Sequence, residues 1–291
     1  MKKLGMGRIA VGAGAASTVK PAADLREAGR QIAKQYEQAI VNVQIIVSIK
    51  MSMGGQSGNE NEAKIETCGT VLSPDGLTVV PLSAVDLSQL YRKMTGGGED
   101  ETSGMNMDSR VKGIKLIVGK RQEIPATVVL RDNDLNIAFL RPIDKPAQPM
   151  TCIDLSQEAQ PALLDEVFTL ARLGRVADRE ISAMTGEIQA IIHKPRKFYV
   201  PSGELASGGM GVPVFARDGR VVGIVLVRTS PGGPEDALSN MLSIGGAQSG
   251  MLVVILPTRD VRDVAAQAPA PTADANDDTA AAPSPAPAKK K

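Results

Sequence analysis

Gly208-Gly209-Met210-Gly211-Val212-Pro213-Val214-Phe215, continued by Ala216-Arg217-Asp218-Gly219-Arg220-Val221-Val222-Gly223-Ile224, is the stretch on which the reading of this chain turns. It spells a glycine-rich turn, a short apolar strand, an Asp-Gly turn and a second apolar strand. An Asp-Gly pair between two apolar runs is a strong short-range hairpin signal. The opening turn holds three glycines in four positions, so its backbone can reach conformations closed to other residues and crowd against a neighbour. Upstream, Thr67-Cys68-Gly69-Thr70-Val71-Leu72, then Ser73-Pro74-Asp75-Gly76, then Leu77-Thr78-Val79-Val80 repeats the device with a Pro-Asp-Gly turn.

The strands read outward from these hairpins are short, closely spaced and almost free of helices. Val41 to Ile49 is rich in β-branched residues, and further strands are expected at Ile114 to Val118, Ala126 to Leu130 and Leu135 to Arg141. Glu166 to Gly174, Glu180 to His193, Lys197 to Val200 and Met251 to Pro257 continue the pattern. Such a run argues for an all-β barrel or sandwich. Helical spacing is confined to residues 22–40, where Leu25, Ala28, Ile32, Tyr36 and Ala39 form one apolar stripe, and to a short piece at Thr258 to Ala266. Met51 to Ala63 and Leu87 to Lys112 read as loops, the second long and mobile, and Thr229 to Gly250 as a third. Residues 1–21 read as a disordered leader or a signal-like segment, and 267–291 as a disordered Ala/Pro/Lys tail.

Composition narrows the chemistry. The 291 residues carry a net charge of +1 and only 2% aromatics, which gives neither a field for nucleic acid nor platforms for stacking bases. Two cysteines, Cys68 and Cys152, and one histidine, His193, supply no metal-ligand spacing; no metal or cofactor is expected. The cysteines read as two thiols or one bridge. No run is long enough for a transmembrane segment.

Three of these segments resemble trypsin-like serine proteases of the HtrA (Deg) type. The hairpin resembles that family's nucleophile loop, with Pro213, Asp218, Gly219, Gly223 and Ile224 in register and Met210 in the place of the serine. Gly69, Ser73, Pro74, Asp75, Gly76 and Val85 match the segment that carries the histidine, whose place is taken by Ser83. Asn136 falls where the family has the aspartate that orients that histidine. The resemblance implies a double six-stranded antiparallel β-barrel, the first barrel at 41–145 and the second at 146–266, in an extracytoplasmic protein. It leaves too few residues after 266 for the PDZ domain that many members carry.

A serine protease needs a hydroxyl nucleophile, a base in reach and a carboxylate that fixes the base. Ser83 is too weak a proton acceptor, Asn136 carries no charge, and Met210 cannot form an acyl-enzyme. We therefore expect a catalytically inactive pseudoprotease that binds a peptide or protein, with Gly208, Gly209, Met210 and Gly211 as the binding loop. Two alternatives stay open. One is a serine endopeptidase rebuilt on Ser207 and His193. The other is a structural subunit that forms a homo-oligomer through residues 22–40, with Ile32 and Tyr36 as anchors.

Overall fold

The computed structural model describes residues 22–53, 56–88, 105–229 and 251–270. The expected leader, nearly all of the expected loop at Thr229 to Gly250, much of that at Leu87 to Lys112 and most of the expected tail lie outside these residues. Helix α1 (Ala22–Tyr36) leads through a 3-10 turn into β1 (Ile40–Met53) and β2 (Gln56–Val71). Then follow β3 (Thr78–Pro81), a one-turn helix α2 (Leu82–Val85), β4 (Met105–Val118), β5 (Gln122–Asp132) and β6 (Ile137–Pro142). The second half holds β7 (Glu166–Arg172), β8 (Ile181–Ile192), β9 (Phe198–Pro201), a one-turn helix α3 (Gly203–Ala206), β10 (Pro213–Ala216), β11 (Val221–Thr229) and β12 (Met251–Pro257), closed by helix α4 (Thr258–Ala265). The strands form two closed six-stranded antiparallel barrels, ordered β1-β2-β3-β6-β5-β4 and β10-β11-β12-β9-β8-β7.

Period-two patterning fills the barrels. Val41, Val43, Ile45 and Val47 of β1 point into the first barrel and are 0–1% exposed. Its other face carries Asn42 and Gln44, which are also buried, because that face turns toward the second barrel. A separate apolar cluster joins the two halves: Leu77, Ile137 and Phe139 pack with Phe168, Phe215 and Ile224, and α1 and α4 add Ile32, Val261 and Val264.

One expected loop, Met51 to Ala63, is largely strand, and so is the described end of another, Met105 to Lys112. β1 and β2 stay paired to Met53↔Gln56, and β4 pairs with β1 from Met105↔Met53 onward. Met51 to Ala63 and Met105 to Lys112 thus extend a three-stranded arm beyond the barrel. Their polar sequence reads as loop because a sheet solvated there needs no apolar stripe; the backbone ladder holds it, with Glu60 adding side-chain contacts to Ser48 and Lys112. Helix α1 also stops at Tyr36, four residues before the expected end, and Ile40 is already strand.

The stripe of α1 lies on the chain's own second barrel. Ile32 is 4% exposed, and Tyr36 stacks on Phe215 with centroids 5.1 Å apart and planes 13° from parallel. Burying one such aliphatic side chain contributes roughly 1.5–3 kcal/mol, and a stacked aromatic pair about 0.5–1.5 kcal/mol more. The two residues expected to anchor a second copy are therefore engaged within this chain.

A buried arginine pins the barrels together. Arg172, at the end of β7, is 6% exposed and donates Nε to Ile40 O at 2.7 Å, Nη1 to Arg179 O at 3.0 Å and Nη2 to Glu37 O. Its own carbonyl accepts from Cys68 Sγ at 3.2 Å, and Asn42 Nδ2 donates to Leu173 O at 3.3 Å. At the surface, Lys120 of the first barrel pairs with Asp178 and Glu180 of the second, and Glu66 with Arg179. Exposed pairs of the Lys120 kind are worth about 0–1 kcal/mol each, so Arg172 dominates this junction. Arg172→Ala strands several carbonyls, each costing about 1–3 kcal/mol when buried without a donor. Urea unfolding should show a loss of about 3 kcal/mol or more; a change below about 1 kcal/mol would contradict this role for Arg172.

Candidate functional site

The three positions that the resemblance singles out meet around the turn from β3 into α2. Pro81 ends β3, and Leu82 N–H donates to Asn136 O at 3.0 Å, which fixes the start of β6 beside α2 and its half-buried Ser83. From the second barrel, the Gly208–Gly211 loop reaches the same turn. A Cβ built on Gly211 would lie 2.6 Å from Cys68 O and 2.9 Å from Pro81 Cδ. Thr70 Oγ1 donates to Gly211 O at 2.7 Å in a fully buried bond. Gly211 has a φ of 76°, so its missing side chain serves both the left-handed turn and the close approach of the two barrels.

Asn136 looks across the same junction. It adopts a φ of 60°, which asparagine tolerates better than most residues, and donates Nδ2 to Val227 O at 2.8 Å. Its amide thus ties the first barrel to β11 of the second. A carboxylate could not make that bond: it would set a charged acceptor against a carbonyl oxygen.

The loop's backbone donors divide in two. Gly208 N–H bonds Leu205 O at 3.2 Å and Gly211 N–H bonds Val225 O at 2.8 Å. No carbonyl among the described residues accepts from Gly209 or Met210. Two adjacent donors therefore remain for an oxygen ligand, beside the half-buried Met210 side chain.

Ser207 and His193 are not brought together. Ser207 Oγ donates to Glu204 O at 2.6 Å, closing its own helical turn. Gly208, next to it, packs on Met184, and Gly186 packs under Ser202 and Leu205. His193 is exposed and follows the far end of β8, about 20 Å of extended strand from Gly186. Cys68 lies close to the junction, but burial pushes its thiol above the ordinary value, and its proton is held by Arg172 O. Cys68 and Cys152 are both free. Among the described residues no group of three or more His, Cys, Asp or Glu could hold a metal ion. No helix among them is long and apolar enough to cross a membrane.

A family model described as the trypsin-like peptidase domain matches residues 62–224, more than half of the chain. The chain belongs to the trypsin-like peptidase domain family. The match runs from β2 into the start of β11, covering parts of both barrels and all three positions at the junction, and the double barrel of this trypsin-like domain is the fold expected above. Among solved structures the chain is similar to the protease domain of MamO from Magnetospirillum magneticum in its apo form, at 14% identity and a TM-score of 0.48, over 79% of this chain and 97% of that one. No curated protein matches the sequence.

Sequence reading missed Thr70 and Val227. Thr70 carried a faint signal, a polar residue in an apolar strand. Val227 carried none, because it acts through its carbonyl.

Two substitutions test this trypsin-like junction. Asn136→Asp should cost about 1–3 kcal/mol at neutral pH, since Val227 O loses its donor and meets a charge. That penalty raises the new carboxyl's pKa in the folded state, so it should shrink as pH falls and the acid becomes a donor; a pH-independent cost in thermal melts would contradict the assignment. A Cβ on Gly209, at a φ of 103°, meets nothing within 4 Å, whereas one on Gly211 strikes the Cys68 carbonyl. Gly211→Ala should therefore lose more stability than Gly209→Ala, by about 1–3 kcal/mol beyond the shared backbone cost; equal losses would remove the inter-barrel contact from the account.

Proposed function

We propose that this trypsin-like peptidase domain is a pseudoprotease of the HtrA type, which holds a segment of peptide or unfolded protein at the inter-barrel cleft without cutting it. The observation that carries this reading is the Asn136 amide donated to Val227 O. With Ser83 in the place of the base, that bond uses the third position to join the barrels, and among the described residues no histidine or carboxylate hydrogen-bonds a serine or cysteine at the cleft. The Gly209 and Met210 N–H groups support oxygen capture: an extended peptide presents backbone carbonyls, and a chain end presents a carboxylate. Met210 adds a flexible, polarisable apolar contact of the kind that suits varied side chains. Gly208 and Gly211 shape the loop, their own amides being engaged within the chain. The Ser207 bond to Glu204 O speaks against a serine endopeptidase rebuilt on Ser207 and His193.

Fluorescein-labelled casein, an unfolded polypeptide, provides the test. Its anisotropy should rise saturably with added protein, and Met210→Glu should weaken binding at least about tenfold, or 1.4 kcal/mol, by setting a carboxylate beside the oxygen-binding amides. Binding that ignores Met210→Glu would place the ligand elsewhere and overturn this reading.

A further inference from the structure

A groove of about 880 Å³ lies on the second barrel, at the opposite end of β10 from the Gly208–Gly211 loop. Ala28 of α1 and Ala216 of β10 line it, and Leu164 stands among its lining residues. Leu164 is 65% exposed and adopts a φ of 67°, a conformation that leucine rarely takes. Two backbone bonds hold it there: Leu164 N–H to Ile188 O at 2.8 Å, and Ile188 N–H to Asp165 O at 3.1 Å. The backbone that carries this exposed apolar side chain is thus held in place, and Leu164 belongs to none of the apolar clusters among the described residues.

The same groove contains Glu166 of β7 and Glu187 of β8, which sit directly opposite each other in the sheet register. Like charges so placed repel. Neither glutamate forms an ion pair with a basic side chain among the described residues: of the two arginines that line the groove, Arg220 bonds Asp218 at 2.7 Å and Glu158 O at 3.2 Å, and Arg217 is already engaged. Asp165 accepts Ala162 N–H at 2.7 Å and so caps its own turn. Covering the two glutamates with an uncharged surface would bury unpaired charge, which is costly. A cation would remove the repulsion, and a planar guanidinium can bond two carboxylates at once.

We propose that this groove docks a segment of another protein that presents an arginine next to an apolar residue, the guanidinium bridging Glu166 and Glu187 and the apolar side chain packing on Leu164. The site is separate from the cleft and does not depend on the reading given for it.

The probe is a fluorescein-labelled decapeptide of alternating arginine and leucine, compared with glutamate-leucine and arginine-serine decapeptides. The full chain should bind the arginine-leucine peptide at least about tenfold more tightly than either control. The double substitution Glu166→Gln with Glu187→Gln should weaken that binding at least about tenfold and raise the melting temperature, because it removes the facing charges. The same titrations are run in the Met210→Glu background, where cleft binding is weakened; the preference for arginine-leucine over both controls, and its loss on the double substitution, should persist there, which separates the groove from the cleft. The proposal is overturned if the arginine-leucine peptide does not bind saturably, if the arginine-serine peptide binds equally well, if the double variant binds as wild type does, or if its melting temperature stays level or falls.

Discussion

The geometry of this molecule depends on a guanidinium buried between two barrels and bonded to backbone oxygens. Burial holds the Arg172 pKa below the ordinary arginine value, while Glu37 and Glu180 pull it back upward. The side chain nevertheless stays charged, because arginine titrates far above neutrality. Such a cation is tolerable only where its donors are satisfied, and the Ile40, Glu37 and Arg179 carbonyls satisfy them. Those carbonyls lie on the entry to the first barrel and on the β7–β8 turn of the second. One side chain thereby sets how the β1 face of one barrel meets the β7 edge of the other.

Around that pin, further polar residues at the junction act as braces. Thr70 holds the glycine loop, and Asn136 holds β11. A triad needs a carboxylate free to orient a base, and a base free to reach a nucleophile. In the pseudoprotease proposed above, the positions assigned to that triad hold an amide bonded across the barrels, a serine and a methionine. Bonds of this kind keep a cleft in shape without supplying proton transfer. On the function proposed above, that is how a peptidase scaffold would serve as a binding surface.

Sequence revealed the fold where turn chemistry is local. Pro74-Asp75-Gly76 and Asp218-Gly219 mark hairpins that the structure contains, and period-two runs such as Val41 to Val47 mark barrel interiors. It failed at the polar ends of β1, β2 and β4, whose ladder leaves no apolar signature. It could pick out Asn136 and Met210 by resemblance, but not what the Asn136 amide bonds, because Val227 lies 91 residues away and offers only its carbonyl. The stripe on α1 was legible as a buried face. Its partner was not, since apolar periodicity says that a surface is covered and not by what.

The measurement that bears most directly on the central claim is labelling with a fluorophosphonate, which reacts covalently only with an activated serine. The purified chain and its Ser207→Ala variant would be treated side by side and read by intact mass. This account predicts that neither takes up the probe, with both folded and β-rich by circular dichroism. Stoichiometric labelling of the parent, lost in Ser207→Ala, would contradict it and establish a working nucleophile.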